Sequence, residues 1–450
     1  MSEPGTEAPR NADPGGPAPL GGDPAPPGRE PASSRSNSAP LGGERPEPPV
    51  ALYVHVPFCV SRCPYCDFVV YAGSDFRGPR SKTSRLYDAL SVELQLRADA
   101  LDARFGPDRP PLRSVFFGGG TPSLIPGERL ADLVRIVSER FGLAPDAEVT
   151  LEANPGPDEL GNLREFAAAG ANRLSLGAQS LDATELRRLG RRHSPGDVVA
   201  AVAQARAAGF SSLSLDLVYD VPGQSLAGWG STLDAALALR PDHLSLYALT
   251  LDDPDAEGLT GPTGDHLPAT AGAVKWRERA RRQQSDDRAA DQYQLAFDLL
   301  AGGGWRGYEI SNWARPGHES RHNLAYWQRR PYEAVGPGAH AFDGVNRRWN
   351  AARLDLYLNA LLPTGAPPLL PPGGAERLDH ATAAAEALIL ALRLDSGISA
   401  ALAAEPPFAS LRGWAETSGL IEPGEIDREP RVRLTVRGRL LSNELFARLV

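Results

Sequence analysis

The chain has 450 residues, 42% of them hydrophobic, and a formal net charge of −9. That length accommodates two or three domains with a sizeable core, and the acidic balance argues against a broad nucleic-acid-binding surface. No apolar run approaches the length of a membrane span.

Residues 1–48 contain no Val, Ile, Phe, Trp or Tyr and are dominated by Pro, Gly, Ala, Ser and charge. Such a segment buries too little apolar area to offset its ordering entropy, so a disordered tail is expected. No hydrophobic signal segment opens the chain, which points to a cytoplasmic protein with reduced thiols.

Order is expected from Val50. The run Val50–Val56, ended by Pro57, fits a buried parallel strand. Directly after it come the chain's three cysteines, Cys59, Cys63 and Cys66, within eight positions. No other cysteine exists to pair with them, and the odd count and tight spacing argue against disulfides. Thiolates in such a set ligate soft metals or an iron–sulfur cluster. Three ligands on a [4Fe–4S] cube leave one iron open for an exchangeable group. The rival is a structural zinc site with His55 as the fourth ligand.

Beyond the cysteines, strands and helices alternate. A helix is predicted over Lys82–Ala100, where Leu86, Leu90, Leu94 and Leu96 are spaced for one face. Further strands are predicted at Ser114–Phe117, Glu148–Leu151, Arg173–Leu176, Ser212–Leu217 and His243–Ala248. Helices are predicted between them at Gly127–Phe141, Pro157–Ala169, Asp182–Leu189, Pro195–Ala208 and Leu226–Leu239. Alternation of this kind predicts an α/β fold of right-handed βαβ units, a partial (β/α)6 barrel over 49–250 with its chemistry at the strand C-termini. Residues 251–290 are polar and are expected to form a surface excursion, with a helix resuming at Gln292–Leu300. A Pro/Gly-rich break at Pro363–Gly374 sets off a C-terminal module over 375–450, expected to be winged-helix-like, with helices at His380–Leu392, Ala409–Ser418 and Gly438–Leu449.

Polar and glycine motifs follow successive strands. Gly118-Gly119-Gly120-Thr121-Pro122 follows the second, and glycines there would let the backbone approach a ligand and expose N–H donors. Glu152-Ala-Asn-Pro155 follows the third, Gln179 closes the fourth, Arg191 lies one helix later, and Asp216 ends the inward face of the fifth. An arginine among carboxylates suits a zwitterionic amino-acid group. For Glu152 alone, a solvated loop carboxylate fits as well.

The spacing Cys59-x3-Cys63-x2-Cys66 with Tyr65 resembles the radical S-adenosylmethionine signature. The segments Tyr53-x-His55-x-Pro57-Phe58-Cys59, Gly119-Gly-Thr-Pro122, Glu152-Ala-Asn-Pro155 and Gly177–Gln179 resemble the oxygen-independent coproporphyrinogen-III oxidase family. The oxidase branch carries a fourth cysteine two positions after the third, where this chain has Phe68. The motif His322-Asn-Leu-Ala-Tyr326-Trp327, with Tyr308–Asn312 before it and Gly336–His340 after it, resembles the HemW-like heme chaperone branch.

The resemblance implies that Cys59, Cys63 and Cys66 hold a 4Fe-4S cluster and that Tyr53, Gly119 and Glu152 contact S-adenosyl-L-methionine. It assigns Gly120, Thr121, Gln179, Arg191 and Asp216 to a second such molecule in the oxidase branch, or to the cavity wall here. It further implies heme as cargo and an acceptor hemoprotein as partner, such as a membrane respiratory enzyme. Iron porphyrin takes a neutral imidazole, so His322 flanked by Tyr326 and Trp327 is the candidate heme site. A hydrogen-bonded packing unit is the alternative for that trio, and His55, His193, His318 and His340 are rival ligands. The competing activity is oxidative decarboxylation of coproporphyrinogen. No oligomeric state follows from these residues.

Overall fold

The computed structural model describes residues 45–251, 258–426 and 429–450. Nearly all of the tail expected over 1–48, and residues 252–257 of the expected excursion, lie outside the described residues.

The first half is six parallel strands, the first five each followed by helix. In chain order they are β1 (Ala51–Val56), α1 (Thr83–Phe105), β2 (Leu112–Gly119), α2 (Gly127–Phe141), β3 (Leu143–Ala153), α3 (Leu163–Ala168), β4 (Arg173–Gln179), α4 (Ala183–Arg188), α5 (Pro195–Ala208), β5 (Ser212–Tyr219), α6 (Leu226–Ala238) and β6 (His243–Ala248). These strands pair in parallel and in sequence order, from Ala51 opposite Ser114 to Ser214 opposite His243. The expected α/β fold with an open, parallel-rich barrel is what forms.

The alternation along each strand explains the layering. Leu174, Leu176, Leu213, Leu215, Leu217, Leu244 and Leu246 are buried against the helices. The opposite faces of β3 to β6 carry Thr150, Glu152, Arg173, Ser175, Ser214, Asp216, His243 and Ser245. Parallel barrels usually fill this interior with branched apolar side chains. Here it is polar, and it leaves room for a ligand.

The second half continues with α7 (Ala271–Arg281), α8 (Asp286–Gly302), β7 (Arg306–Gly307), β8 (Asn312–Ala314), α9 (Arg321–Trp327), β9 (Tyr332–Val335), β10 (His340–Phe342), β11 (Asn346–Asn350), α10 (Leu354–Leu361) and β12 (Gly373–Arg377). Strand β9 extends the parallel run beside β1, and β8 caps its other edge antiparallel to β6. The sheet ends in β12 on one side and β7 on the other, so it does not close. The last elements are α11 (His380–Arg393), β13 (Ile398–Ser399), α12 (Phe408–Thr417), β14 (Ile421–Ile426), β15 (Glu429–Leu434), α13 (Val436–Leu440) and α14 (Ser442–Phe446). They form a mainly helical region around a three-stranded sheet.

Several expectations need correction. The stretch 251–290 contains α7 and the start of α8, because Thr270 and Ser285 cap helices within a polar sequence. The helix expected from Pro157 starts only at Leu163, where Asn162 accepts from the Glu165 N–H. Gly373 and Gly374, read as part of a break, pair with Asn350 and Trp349 in the main sheet. The last expected helix is split into α13 and α14.

Candidate functional site

The loop after β1 is pinned from both sides. The Cys59 N–H donates to Tyr71 O at 3.0 Å. Arg277 of α7, only 3% exposed, donates to Pro64 O at 3.2 Å and Cys66 O at 3.0 Å. Arg277 was not anticipated, because nothing in the arginine-rich run around it marks one residue as facing inward. Held in this way, Cys59, Cys63 and Cys66 all line one cavity of about 620 Å³ at the C-terminal ends of the barrel strands.

Burial pushes the Cys59 thiol up to about 12, and Cys63 beside it adds to the effect. Cys66 is also raised to about 12 by burial and then by the same neighbour. Thiolates here need a cationic partner, which bound iron supplies. Among the described residues no group of three or more His, Cys, Asp or Glu converges on the position of one ion. A structural zinc site demands such convergence. On a cube each thiolate binds a different iron, so the donor set fits the cluster. His55 is not a ligand: Tyr53 Oη lies 3.0 Å from Nδ1, Val69 O lies 2.9 Å from Nε2, and burial lowers the imidazole to about 4.

The glycine motif has a packing cause rather than the one expected. A Cβ on Gly120 would lie 2.7 Å from Phe58 O, and one on Gly119 would lie 2.4 Å from the His55 ring. The N–H groups are also taken, Gly120 by Val56 O at 2.9 Å and Gly119 by Glu152 Oε2 at 3.0 Å. Gly119 further requires φ of +111°. Gly119→Ala is therefore expected to destabilise the protein by about 1–3 kcal/mol. Denaturant midpoints check this effect.

Glu152, Gln179, Arg191 and Asp216 stand around the cavity with Gly119 and Gly120. Arg191 donates to Gly177 O at 2.8 Å and to the Asn154 side chain, and its Nη1 lies 3.6 Å from Cys63 Sγ. Asn154, which nothing in the motif after the third strand marks as functional, joins this network. It bonds Thr121 Oγ1 at 2.9 Å, and that hydroxyl lies 3.2 Å from Cys59 Sγ. Thr121 thus sits behind Cys59, 1% exposed, and does not line the cavity.

Glu152 opens onto the cavity but is otherwise walled by protein. Burial, with Asp216 nearby, raises its carboxyl from the usual 4.5 to about 7. The folded apoprotein then binds more protons than the unfolded chain between these values. Its stabilising contribution is full below 4.5 and lost as pH rises through 7. Glu152→Gln should flatten this part of the stability profile, as measured by urea denaturation of the apoprotein at several pH values.

The His322 motif lies at the opposite, N-terminal end of the strands. The Glu148 carboxylate accepts from the Arg321 N–H at 3.0 Å and the His322 N–H at 3.2 Å, docking the start of α9 onto the barrel. His322 is 1% exposed. Its Nδ1 lies 3.1 Å from Ser114 Oγ and its Nε2 lies 2.8 Å from Tyr326 Oη. Neither nitrogen is presented to a ligand, and the hydrogen-bonded packing alternative describes this arrangement. Trp327 does not complete a slot with them. It sits under the Arg393 guanidinium, 4.4 Å from the ring centroid. His322 and Tyr326 line a second, inner cavity of about 220 Å³ that also includes Tyr53. Among the rival histidines, His193 Nε2 is 3.0 Å from Ala178 O and His318 Nδ1 is 3.1 Å from Ser212 Oγ. His340 Nε2 is 2.7 Å from Asp265 Oδ2.

Residues 53–236 match the model of the radical SAM superfamily. The heme chaperone HemW of Mycobacterium tuberculosis is 39% identical over 419 residues, which is 92% of this chain and 96% of that protein. HemW of Escherichia coli K12 is 36% identical over 65% of this chain and 70% of its own length. Among solved structures, the coproporphyrinogen III oxidase HemN of Escherichia coli superposes with a TM-score of 0.70 at 23% identity, covering 90% of this chain and 91% of that one. This last likeness is one of fold. With a cysteine loop built for a cluster and identity sustained along almost the whole chain, this protein belongs to the HemW family of the radical SAM superfamily.

Proposed function

We propose that the protein binds heme and hands it to an acceptor hemoprotein in a reducing, cytoplasmic setting. The observation that carries this reading is the 39% identity to a heme chaperone across 96% of that chaperone's length. A fitting acceptor is a membrane respiratory enzyme. Among the described residues no helix is long and apolar enough to cross a membrane, so on this reading the chain meets such an acceptor from outside the bilayer.

Cys59, Cys63 and Cys66 would hold the cluster, and Glu152, Gly119, Gln179, Arg191 and Asp216 would line the bed of S-adenosylmethionine. Together these groups supply one-electron chemistry when bound. The chain's own part is positional. Arg277 fixes the loop carbonyls, Arg191 ties the β3 and β4 ends to Cys63, and the polar barrel wall offers hydrogen bonds. Phe68, which stands where the oxidase branch has a fourth cysteine, is 60% exposed and lines the cavity.

Titrating hemin into the anaerobically reconstituted protein, with and without cluster, tests the proposal. A saturable Soret change that responds to the cluster is expected. Absence of saturable binding, or turnover of coproporphyrinogen by the same preparation, would overturn it.

A further inference from the structure

Arg173, the first residue of β4, is 3% exposed. Its Nε is buried without a hydrogen-bond partner. Among the described residues no carboxylate lies within 4.0 Å of its guanidinium nitrogens, whereas the buried arginines Arg97 and Arg439 each have an ion pair and buried Arg277 is held by the carbonyls of the cysteine loop. The side chain lines the inner cavity of about 220 Å³ with Asn323, Tyr326, Ser245 and Tyr247. An uncompensated buried charge is costly, of the order of several kcal/mol for an ion taken from water. A protein retains such a charge where a ligand completes it.

The position decides which ligand. Gln179, at the strand's other end, lies six positions from Arg173, roughly 20 Å at the usual rise per residue. The cation is therefore at the far end of β4 from the cysteine rim. The inner cavity is smaller than the roughly 300–1,000 Å³ that hold a drug-sized molecule, so it takes an arm rather than a macrocycle. It shares Phe68, Gly119, Glu152, Ser175, Asp216 and Tyr247 with the outer cavity, which gives an arm a way in. Two acids share the pocket. Burial raises both Glu152 and Asp216 towards their neutral forms, and Asp216 already accepts from Ser175 Oγ at 3.0 Å and from Ser214 Oγ at 3.2 Å.

We propose that the inner cavity is a carboxylate pocket in which Arg173 pairs with an acidic side arm of the porphyrin cargo. The assignment rests on the heme-binding reading and adds the group by which the cargo is held. A guanidinium matches a carboxylate with two parallel hydrogen bonds, and Asn323 offers an amide beside it.

The test is Soret titration of full-length, reconstituted protein with hemin and with the iron(III) porphyrin dimethyl ester, whose acid arms are blocked. The wild type should bind hemin at least tenfold more tightly than the ester. Arg173→Gln should lose at least tenfold for hemin and less than twofold for the ester, while Arg173→Lys, which keeps the charge, should retain part of the preference. If Arg173→Gln does not fold, the wild-type preference and the lysine variant decide. Equal wild-type affinity for the two porphyrins would overturn this inference and leave the heme reading standing. No binding of either would overturn both.

Discussion

Replacing Cys63 with alanine should abolish the visible absorbance of the reconstituted cluster and leave the far-ultraviolet circular dichroism that of the wild type. The two outcomes separate because of where Cys63 lies. Its side chain faces the cavity rather than the core, and its one hydrogen-bond contact is with Arg191 at 3.6 Å. The loop's course depends on backbone groups that alanine keeps: the Cys66 N–H on Cys63 O at 3.2 Å and the clamp from Arg277. The cluster depends on all three sulfurs, since no other cysteine exists in the chain. Iron and sulfide analysis should fall to the level of the unreconstituted protein. An unchanged spectrum would remove Cys63 from the ligand set.

The barrel was legible because strand and helix patterns alternate along it and α1 carries a leucine face. The cysteine set was legible because thiols are scarce and chemically specific. What escaped detection were residues whose role depends on tertiary pairing. Arg277 is one arginine among many until α7 packs against the cysteine loop. Arg173 reads as the polar start of a strand until its inward neighbours are seen to leave it unpaired. Thr121 and Gly120 were noted in the correct motif for the wrong reason: their constraints come from Cys59 and Phe58 across the strand rather than from an open backbone awaiting a ligand. The His322 motif shows the same limit. Spacing puts His322 and Tyr326 on one side of a helical turn, and they do meet, but only the fold shows that both imidazole nitrogens are spent there.

Glu93→Ala is expected to be the most damaging single change outside the cysteines. Glu93 of α1 is fully buried and unites four separated parts of the chain. Its Oε1 accepts from Arg97 Nη2 at 3.1 Å and from Asn350 Nδ2 at 2.8 Å. Its Oε2 accepts from the Gly336 N–H at 2.8 Å and from the Tyr357 hydroxyl at 2.7 Å. The alanine variant would leave Arg97 without its counter-charge and strand the Gly336 N–H and the Tyr357 hydroxyl, while Asn350 Nδ2 keeps Gly336 O, a loss of about 3–5 kcal/mol for breaking a buried pair. The glutamine variant keeps the shape and some acceptors, so it should lose less. Glu93 also reaches the cysteine strand, because a Cβ on Gly336 would lie 2.5 Å from His55 O. A lowered urea midpoint should therefore be accompanied by slower cluster reconstitution, and that effect should be reversed by working well below the midpoint. A midpoint equal to the wild type's would show that this network does not hold β9, β11 and α10 against the barrel.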